Sequence, residues 1–251
     1  MTKISAVIIT YNEEPCIQRT LQSLDFCDEI IIVDSGSTDK TVSLCKENGC
    51  KVLYRKFDGY GTQKRFAVEQ AANDWVLAID ADEVLSPELR EEIISTFSHA
   101  ETDVHGFFVP ISLVFLGRVI RFGGEYKKPH LRLFNKKYGT FNTNAVHEGV
   151  VLQGPTAPLK NHILHYSYRD IHHYLEKFNG YTTAAAYSLH AKKRKAAVFE
   201  SIVRLPLTFI KIYMLKGCIF DGYPGFVWSL LSSFYPVVKF IKLYELNNKQ
   251  P

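Results

Sequence analysis

The chain has 251 residues, of which 46% are apolar, 22% charged and 13% aromatic, enough for one sizeable core and too apolar for intrinsic disorder or a collagen-like repeat. The formal charge of +4 is unevenly spread: ten Lys and Arg against three Asp and Glu from Lys192 onward give +7, and the first 191 residues carry −3. Five cysteines without a C-x-x-C pair argue against a disulfide framework or a zinc ribbon and for reduced thiols in the cytosol.

The apolar run at residues 4–10 is too short for a signal-peptide core and reads as a first strand. Residues 28–33, 51–54 and 75–80 are similar β-branched runs, separated by stretches of helical spacing around 15–24, 39–48 and 62–73. Continuous apolar strands alternating with amphipathic helices predict a parallel sheet covered on both faces, an α/β fold. Past Pro87 a helix is expected over 88–97. Strand-like 106–116, Gly-rich 117–124 and strand-like 130–135, 145–152 and 162–168 then predict a mixed second half. A helix is expected over 170–193, and two apolar, Lys-studded helices within 198–245, separated by residues 217–225. Residues 222–238 carry no charge, but this stretch, broken by Pro224 and Pro236 and closed by Lys239, falls short of a membrane span of about 20 residues.

Three strand ends carry polar clusters: Thr10-Tyr11-Asn12-Glu13, the turn from Asp34 to Asp39, and Asp80-Ala81-Asp82-Glu83. Ligands of open α/β sheets bind at such ends. Thr38 or Asp39 has an ordinary use as a helix cap, whereas Asp34 closes an apolar strand before any cap is needed. Asp80-x-Asp82 places two hard oxygen ligands after a buried strand, suited to Mg²⁺ or Mn²⁺; two solvated loop acids are the plainer alternative. There is no G-x-x-x-x-G-K-[ST], and Gly59-x-Gly61 lacks a third glycine.

Taken together, Ile8-Ile9-Thr10-Tyr11-Asn12-Glu13, the turn from Val33 to Asp39 and the segment from Ala78 to Glu83 resemble a family 2 glycosyltransferase of the GT-A type. That resemblance implies a Rossmann-like mixed sheet sandwiched by helices, with a C-terminal helical extension. The catalytic domain is expected over 1–195 and the extension over 196–251. Downstream, Arg132-Leu133-Phe134, Val146-His147-Glu148 and residues 206–225 resemble the lipopolysaccharide core β-1,4-glucosyltransferase branch.

By the same resemblance, Thr10, Tyr11, Glu13 and Asp34 are expected to hold uridine, with Asp34 accepting from the uracil N3–H, and Gln63 and Lys64 to reach the donor. Asp80 is expected at the ribose or metal. Asp82 is expected to bind the Mg²⁺ or Mn²⁺ that bridges the diphosphate, with His165 completing the shell. The family's Glu-Asp pair after a glycine loop is replaced here by Gly123-Gly124 and His147-Glu148, so Glu148 is the expected base and His147 its alternative. Arg132, with Gly123 and Gly124, is expected at a phosphate or the acceptor, although a salt-bridged strand arginine is an equal reading.

The implied reaction is inverting, metal-dependent transfer from a UDP-sugar, UDP-glucose first, to a lipid-linked saccharide such as the lipopolysaccharide inner core. Another glycan or a protein acceptor is the nearest alternative, and a nucleotidyltransferase lacks its Gly-rich loop. A basic nucleic-acid-binding module fits poorly, because the body is acidic and the tail aromatics are embedded in apolar helices, so no nucleic-acid partner is expected. Lys211, Lys216, Lys239 and Lys242 among Phe, Tyr and Trp228 fit helices lying in a membrane interface, against the alternatives of packing on the catalytic domain or an oligomer contact. The expected location is cytoplasmic, peripheral at the inner-membrane surface.

Overall fold

The computed structural model describes residues 2–98, 103–143, 148–195 and 198–248. Two compact units divide the chain, one of residues 1–112 and 127–166, the other of residues 113–126 and 167–251. The second unit thus takes in the helix after residue 170 and a short hairpin from mid-chain, whereas the sequence suggested a single boundary near residue 195.

The first unit opens with β1 (Ile4–Thr10), α1 (Glu14–Gln22), β2 (Glu29–Asp34), α2 (Thr41–Glu47), β3 (Lys51–Tyr54), α3 (Tyr60–Glu69) and β4 (Trp75–Asp80). It continues with β5 (Glu83–Leu85) and α4 (Pro87–Ser98), then β6 (Gly106–Phe115), which runs on into the second unit's hairpin strand β7 (Arg118–Val119). After the hairpin come β8 (Lys128–Asn135), β9 (Gly139–Phe141), β10 (Val150–Leu152), β11 (Thr156–Pro158) and β12 (Ile163–His165). The sheet order is β3-β2-β1-β4-β8-β6-β12-β5. The first four strands are parallel, β8 joins β4 antiparallel, and β9 and β10 form a separate ribbon. The expected mixed α/β sheet is present.

Side chains alternate across a strand, and here both faces are apolar. Ile4, Ala6 and Ile8 of β1 and Trp75, Leu77 and Ile79 of β4 pack with Ile17 and Leu21 of α1 and Leu89 and Ile93 of α4. Val7, Val76 and Ala78 face the other way, onto Ala67 and Val68 of α3 and Phe134 of β8. Two-sided burial explains why these strands read as continuous apolar runs. All five cysteines are free thiols, and burial pushes the Cys45 thiol up to about 12.

The second unit contains α5 (Ile171–Ala191), α6 (Val198–Ile210) and α7 (Gly222–Asn248), with a π-helical turn at Lys211–Leu215 and a 3₁₀ turn at Cys218–Asp221. Asp170 caps α5, its Oδ1 accepting from the His173 N–H at 2.7 Å. Phe115, Tyr168, Tyr174 and Trp228 form its aromatic core. α7 starts inside the expected glycine break and runs through Pro236. Among the described residues the stretch Cys218–Asn248 is long and apolar enough to cross a membrane by length and composition.

Candidate active site

Strand register assembles the site. Thr10 lies opposite Asp34 on β2, and Ile9 lies opposite Asp80 on β4, so three carboxyl ends finish level along one rim. At that rim a cavity of about 430 Å³ is lined by Ile9, Thr10, Tyr11, Glu13, Ser35, Phe57 and Tyr60. The rings of Phe57 and Tyr60 meet edge to face at 5.0 Å, and Tyr11 and Tyr60 are each about 60% exposed. Such a pocket suits a flat ring with a polar edge.

Asp34 is the knot of this rim. It is buried, and its Oδ1 accepts from the Gly36 and Ser37 N–H groups at 2.9 Å. Its Oδ2 accepts from Thr10 Oγ1 at 3.0 Å and Ser37 Oγ at 2.5 Å. A carboxylate has about four acceptor positions, so the turn and Thr10 together fill them, and a pyrimidine N–H reaching Asp34 competes with these donors. Asn12, at φ +56, ties the neighbouring turn in: its N–H donates to Ser37 Oγ and its Oδ1 accepts from the Thr38 N–H, both at 2.8 Å. Gln63, expected to reach the donor, is fully buried. Its Nε2 donates to Ser35 Oγ at 3.1 Å and to the Arg55 carbonyl at 2.9 Å, holding the pocket wall.

The β4 end is a charge cluster. Lys64 Nζ lies 2.7 Å from Asp80 Oδ1, and Arg132 Nη2 on β8 lies 2.9 Å from Asp80 Oδ2 and 2.7 Å from Glu83 Oε1. Burial acts to raise the Asp80 pKa, but the Arg132 and Lys64 charges outweigh it and hold the carboxyl well below the usual carboxylate range. Burial pushes Glu83 up against the pull of Arg132, and the neighbouring Asp80 charge adds to the rise. Arg132 Nη2 is engaged by both acids, the arrangement of the salt-bridged reading. Lys64 reaches Asp80 where it was expected to reach the donor.

Asp82 and His165 meet through strand pairing. β12 runs antiparallel to β5, with His165 opposite Glu83, and the Tyr166 N–H donates to the Asp82 carbonyl at 2.8 Å. His165 Nε2 lies 3.3 Å from Asp82 Oδ2. Burial works against an imidazolium, yet the Asp82 hydrogen bond and the surrounding carboxylates raise the His165 pKa. Thr20 Oγ1 donates to the Ala81 carbonyl at 2.7 Å and steadies the loop between the two aspartates. Among the described residues no group of three or more His, Cys, Asp and Glu converges as a ready metal cage. The Asp82 carboxylate, with phosphate oxygens and water, suits Mg²⁺ or Mn²⁺, and the His165 imidazole nitrogen beside it favours Mn²⁺ over the harder Mg²⁺.

Glu148 is half-buried just before β10. A Cβ added to Gly61 in α3 would lie 3.4 Å from the Glu148 Cβ and 2.3 Å from the Asn142 carbonyl oxygen, so glycine lets the Glu148 segment lie against α3. His147 falls outside the described residues. Gly123 and Gly124 belong to the second unit, with φ +78 and +92, and pack on Cys218 and Lys216. His162 Nδ1 lies 2.6 Å from Ser112 Oγ. Phe57 and Tyr60 are the participants that the sequence did not single out, aromatics flanking Gly59 after a strand being the available signal, whereas Ser35 and Glu83 lay in the marked polar clusters without an assigned role.

A Rossmann-like parallel half-sheet extended by antiparallel strands, with an aromatic pocket and a carboxylate rim at its strand ends, is the architecture of a GT-A transferase. Residues 5–153 match the model of glycosyl transferase family 2, and the chain belongs to that family. It is 35% identical over 99% of its length, and 89% of the relative's, to an uncharacterized glycosyltransferase of Rickettsia typhi. It is 29% identical, over 96% of its length and 92% of the relative's, to the lipopolysaccharide core biosynthesis glycosyltransferase LpsC of Rhizobium meliloti. Among solved structures, S. aureus TarS is 27% identical at a TM-score of 0.40, covering 47% of this chain and 23% of TarS. Glucosyl-3-phosphoglycerate synthase of Mycobacterium tuberculosis, solved with Mn²⁺, UDP and glucosyl-3-phosphoglycerate, is 24% identical at a TM-score of 0.37, covering 45% of this chain and 44% of its own.

Proposed function

We propose that this glycosyltransferase moves a hexose, glucose first, from a UDP-sugar to a lipid-linked saccharide of the lipopolysaccharide inner-core kind, with inversion, working peripherally at the cytoplasmic face of the inner membrane. The observation that carries the reading is the register that ends β1, β2 and β4 level, bringing Thr10 of the aromatic pocket, Asp34 and Asp80 to one rim, with Asp82 two residues beyond Asp80. The likeness to LpsC along nearly the whole chain supports the acceptor class.

In this reading uracil lies in the pocket of Tyr11, Phe57 and Tyr60, with Thr10 and Glu13 at its polar edge and Asp34 holding the wall in shape. Asp80, fixed by Lys64 and Arg132, faces the ribose. Asp82 and His165 would hold the divalent cation, which when bound supplies positive charge opposite the leaving diphosphate. Glu148 takes the acceptor hydroxyl proton as that oxygen attacks the anomeric carbon. The bond from that carbon to the diphosphate oxygen breaks, and its electron pair leaves with UDP. A single displacement from the opposite face inverts the centre. His147 is the second candidate for the base.

Calorimetry against UDP, GDP, CDP and ADP with Mn²⁺ or EDTA tests the donor, followed by transfer assays with a panel of UDP-sugars and extracted lipid-linked core saccharides. Selective, metal-enhanced UDP binding is expected. Equal affinity for all four nucleotides overturns the uridine assignment, and salt-dependent RNA binding without UDP binding overturns the whole reading.

A further inference from the structure

The second unit ends in a tip built from two segments, the hairpin turn at residues 116–124 and the bend at 211–223. They are clasped rather than loosely apposed. Asp221, 4% exposed, accepts from the Arg121 and Phe122 N–H groups at 3.1 and 3.0 Å. The Gly123 N–H donates to the Lys216 carbonyl, and Lys216 Nζ donates to the Gly123 carbonyl, both at 3.1 Å. A Cβ on Gly123 would lie 2.6 Å from Cys218 Sγ, and one on Gly217 3.0 Å from the Phe122 ring.

This ordered clasp turns apolar side chains outward. Leu215 is 79% exposed, Phe220 75% and Tyr223 73%, with Met214 and Ile219 beside them in sequence and also exposed, and the exposed Phe122 ring packs 5.5 Å from that of Phe220. Arg118, Arg121, Lys211 and Lys216 are exposed among them. Of the acids in these segments, Asp221 is turned inward onto backbone N–H groups, and Glu125 is half-buried. The same two clasped segments thus present exposed apolar side chains and four exposed cations.

We propose that this tip docks the protein on an anionic lipid surface, Leu215, Phe220 and Tyr223 entering the acyl boundary while Arg118, Arg121, Lys211 and Lys216 meet acidic headgroups. The inference rests on the membrane-facing acceptor proposed above and gives that contact an address in the chain. Charge selects the occupant: a two-fold contact with a second copy would set the cations against their own symmetry mates, whereas acidic headgroups neutralise them. The tip lies on the surface and α7 does not span it. Although Cys218–Asn248 is apolar enough, Trp228 and Leu231 pack with Tyr174 and Phe178 of α5, and Phe240 and Leu243 with Ala186. Lys242 Nζ, well along α7, donates to Asn179, Thr182 and Thr183 of α5.

The full chain is sedimented with phosphatidylcholine vesicles and with vesicles also containing phosphatidylglycerol. Binding is expected only to the second, reduced about tenfold or more by Leu215→Ser with Phe220→Ser, and lost with its lipid preference in Arg118→Glu with Arg121→Glu. UDP affinity, read by calorimetry, reports that the donor site remains folded. As a second measurement, Phe220→Trp is expected to shift its emission to the blue on phosphatidylglycerol vesicles and to be quenched by brominated acyl chains; an unquenched Trp overturns the docking. Wild-type protein that ignores acidic vesicles overturns both the tip and the membrane reading. Unchanged vesicle binding by the tip variants overturns the tip alone. A dimer abolished by the Leu215 and Phe220 changes, without vesicle binding, gives the surface to a second copy.

Discussion

Replacing Arg132 by methionine removes the cation that lies between Asp80 and Glu83 while keeping most of the side-chain volume. The two carboxylates feel its removal unequally. Asp80 keeps Lys64 at 2.7 Å and its side chain is 29% exposed, so it retains a cation and some water. Glu83 is 1% exposed and is deprived of the cation 2.7 Å from its Oε1, keeping the Asp80 N–H at 3.0 Å to Oε2. Breaking a buried pair by removing one partner costs about 3–5 kcal/mol, and the Glu83 half is expected to dominate because that carboxylate cannot rehydrate. Urea unfolding at pH 7.5 should therefore show Arg132→Met less stable by about 3–5 kcal/mol. Arg132→Met with Glu83→Gln should recover about 2–3 kcal/mol of it, a coupling at the upper end of that for contacting residues. Adding Asp80→Asn in place of Glu83→Gln should recover less. If the double variant with Glu83→Gln is no more stable than Arg132→Met alone, the uncompensated Glu83 charge is not the source of the loss.

Asp82→Ala is expected to abolish the enhancement of UDP binding by Mn²⁺ and most turnover, and His165→Ala to weaken it with partial rescue at high Mn²⁺; UDP titrations with EDTA and Mn²⁺ check both, and an unaltered metal response in Asp82→Ala would falsify its ligand role. Glu148→Gln should lower kcat by roughly 10²- to 10⁴-fold with UDP affinity nearly unchanged, whereas near-normal transfer moves the base elsewhere, His147 being next to test. Asp34→Asn keeps the shape but turns one acceptor into a donor facing other donors, so it should cost about 1–3 kcal/mol of stability and weaken UDP binding with it; normal binding by a destabilised variant would separate the turn from the pocket. Gly61→Ala puts a methyl group 2.3 Å from the Asn142 carbonyl oxygen and should destabilise by about 1–3 kcal/mol, with transfer falling more than UDP binding as the Glu148 segment is displaced.

Local pattern was enough for the first half of the fold. β3 at residues 51–54 and β4 at 75–80 coincide with their apolar runs, because a strand buried on both faces declares itself in consecutive side chains. The polar clusters closing those runs marked the rim, since parallel strands joined by helices bring their carboxyl ends to one edge. What remained hidden depended on partners far away in the chain. The stretch 162–168 read as strand-like and the family resemblance joined His165 to Asp82, but β5, three residues long, gave no period, and its pairing with β12 is what sets His165 beside Asp82. Arg132 was visible as a residue but not as the counter-ion of Glu83, because that role exists only once β8 lies beside β4. The helix α7 passes through a proline that reads as a break, held by α5 packing along its length. The division that places residues 113–126 with the C-terminal helices has the same origin: Asp221 meets the Arg121 and Phe122 backbone across about a hundred residues, and sequence periodicity reports whether a side chain is buried, never which distant segment buries it.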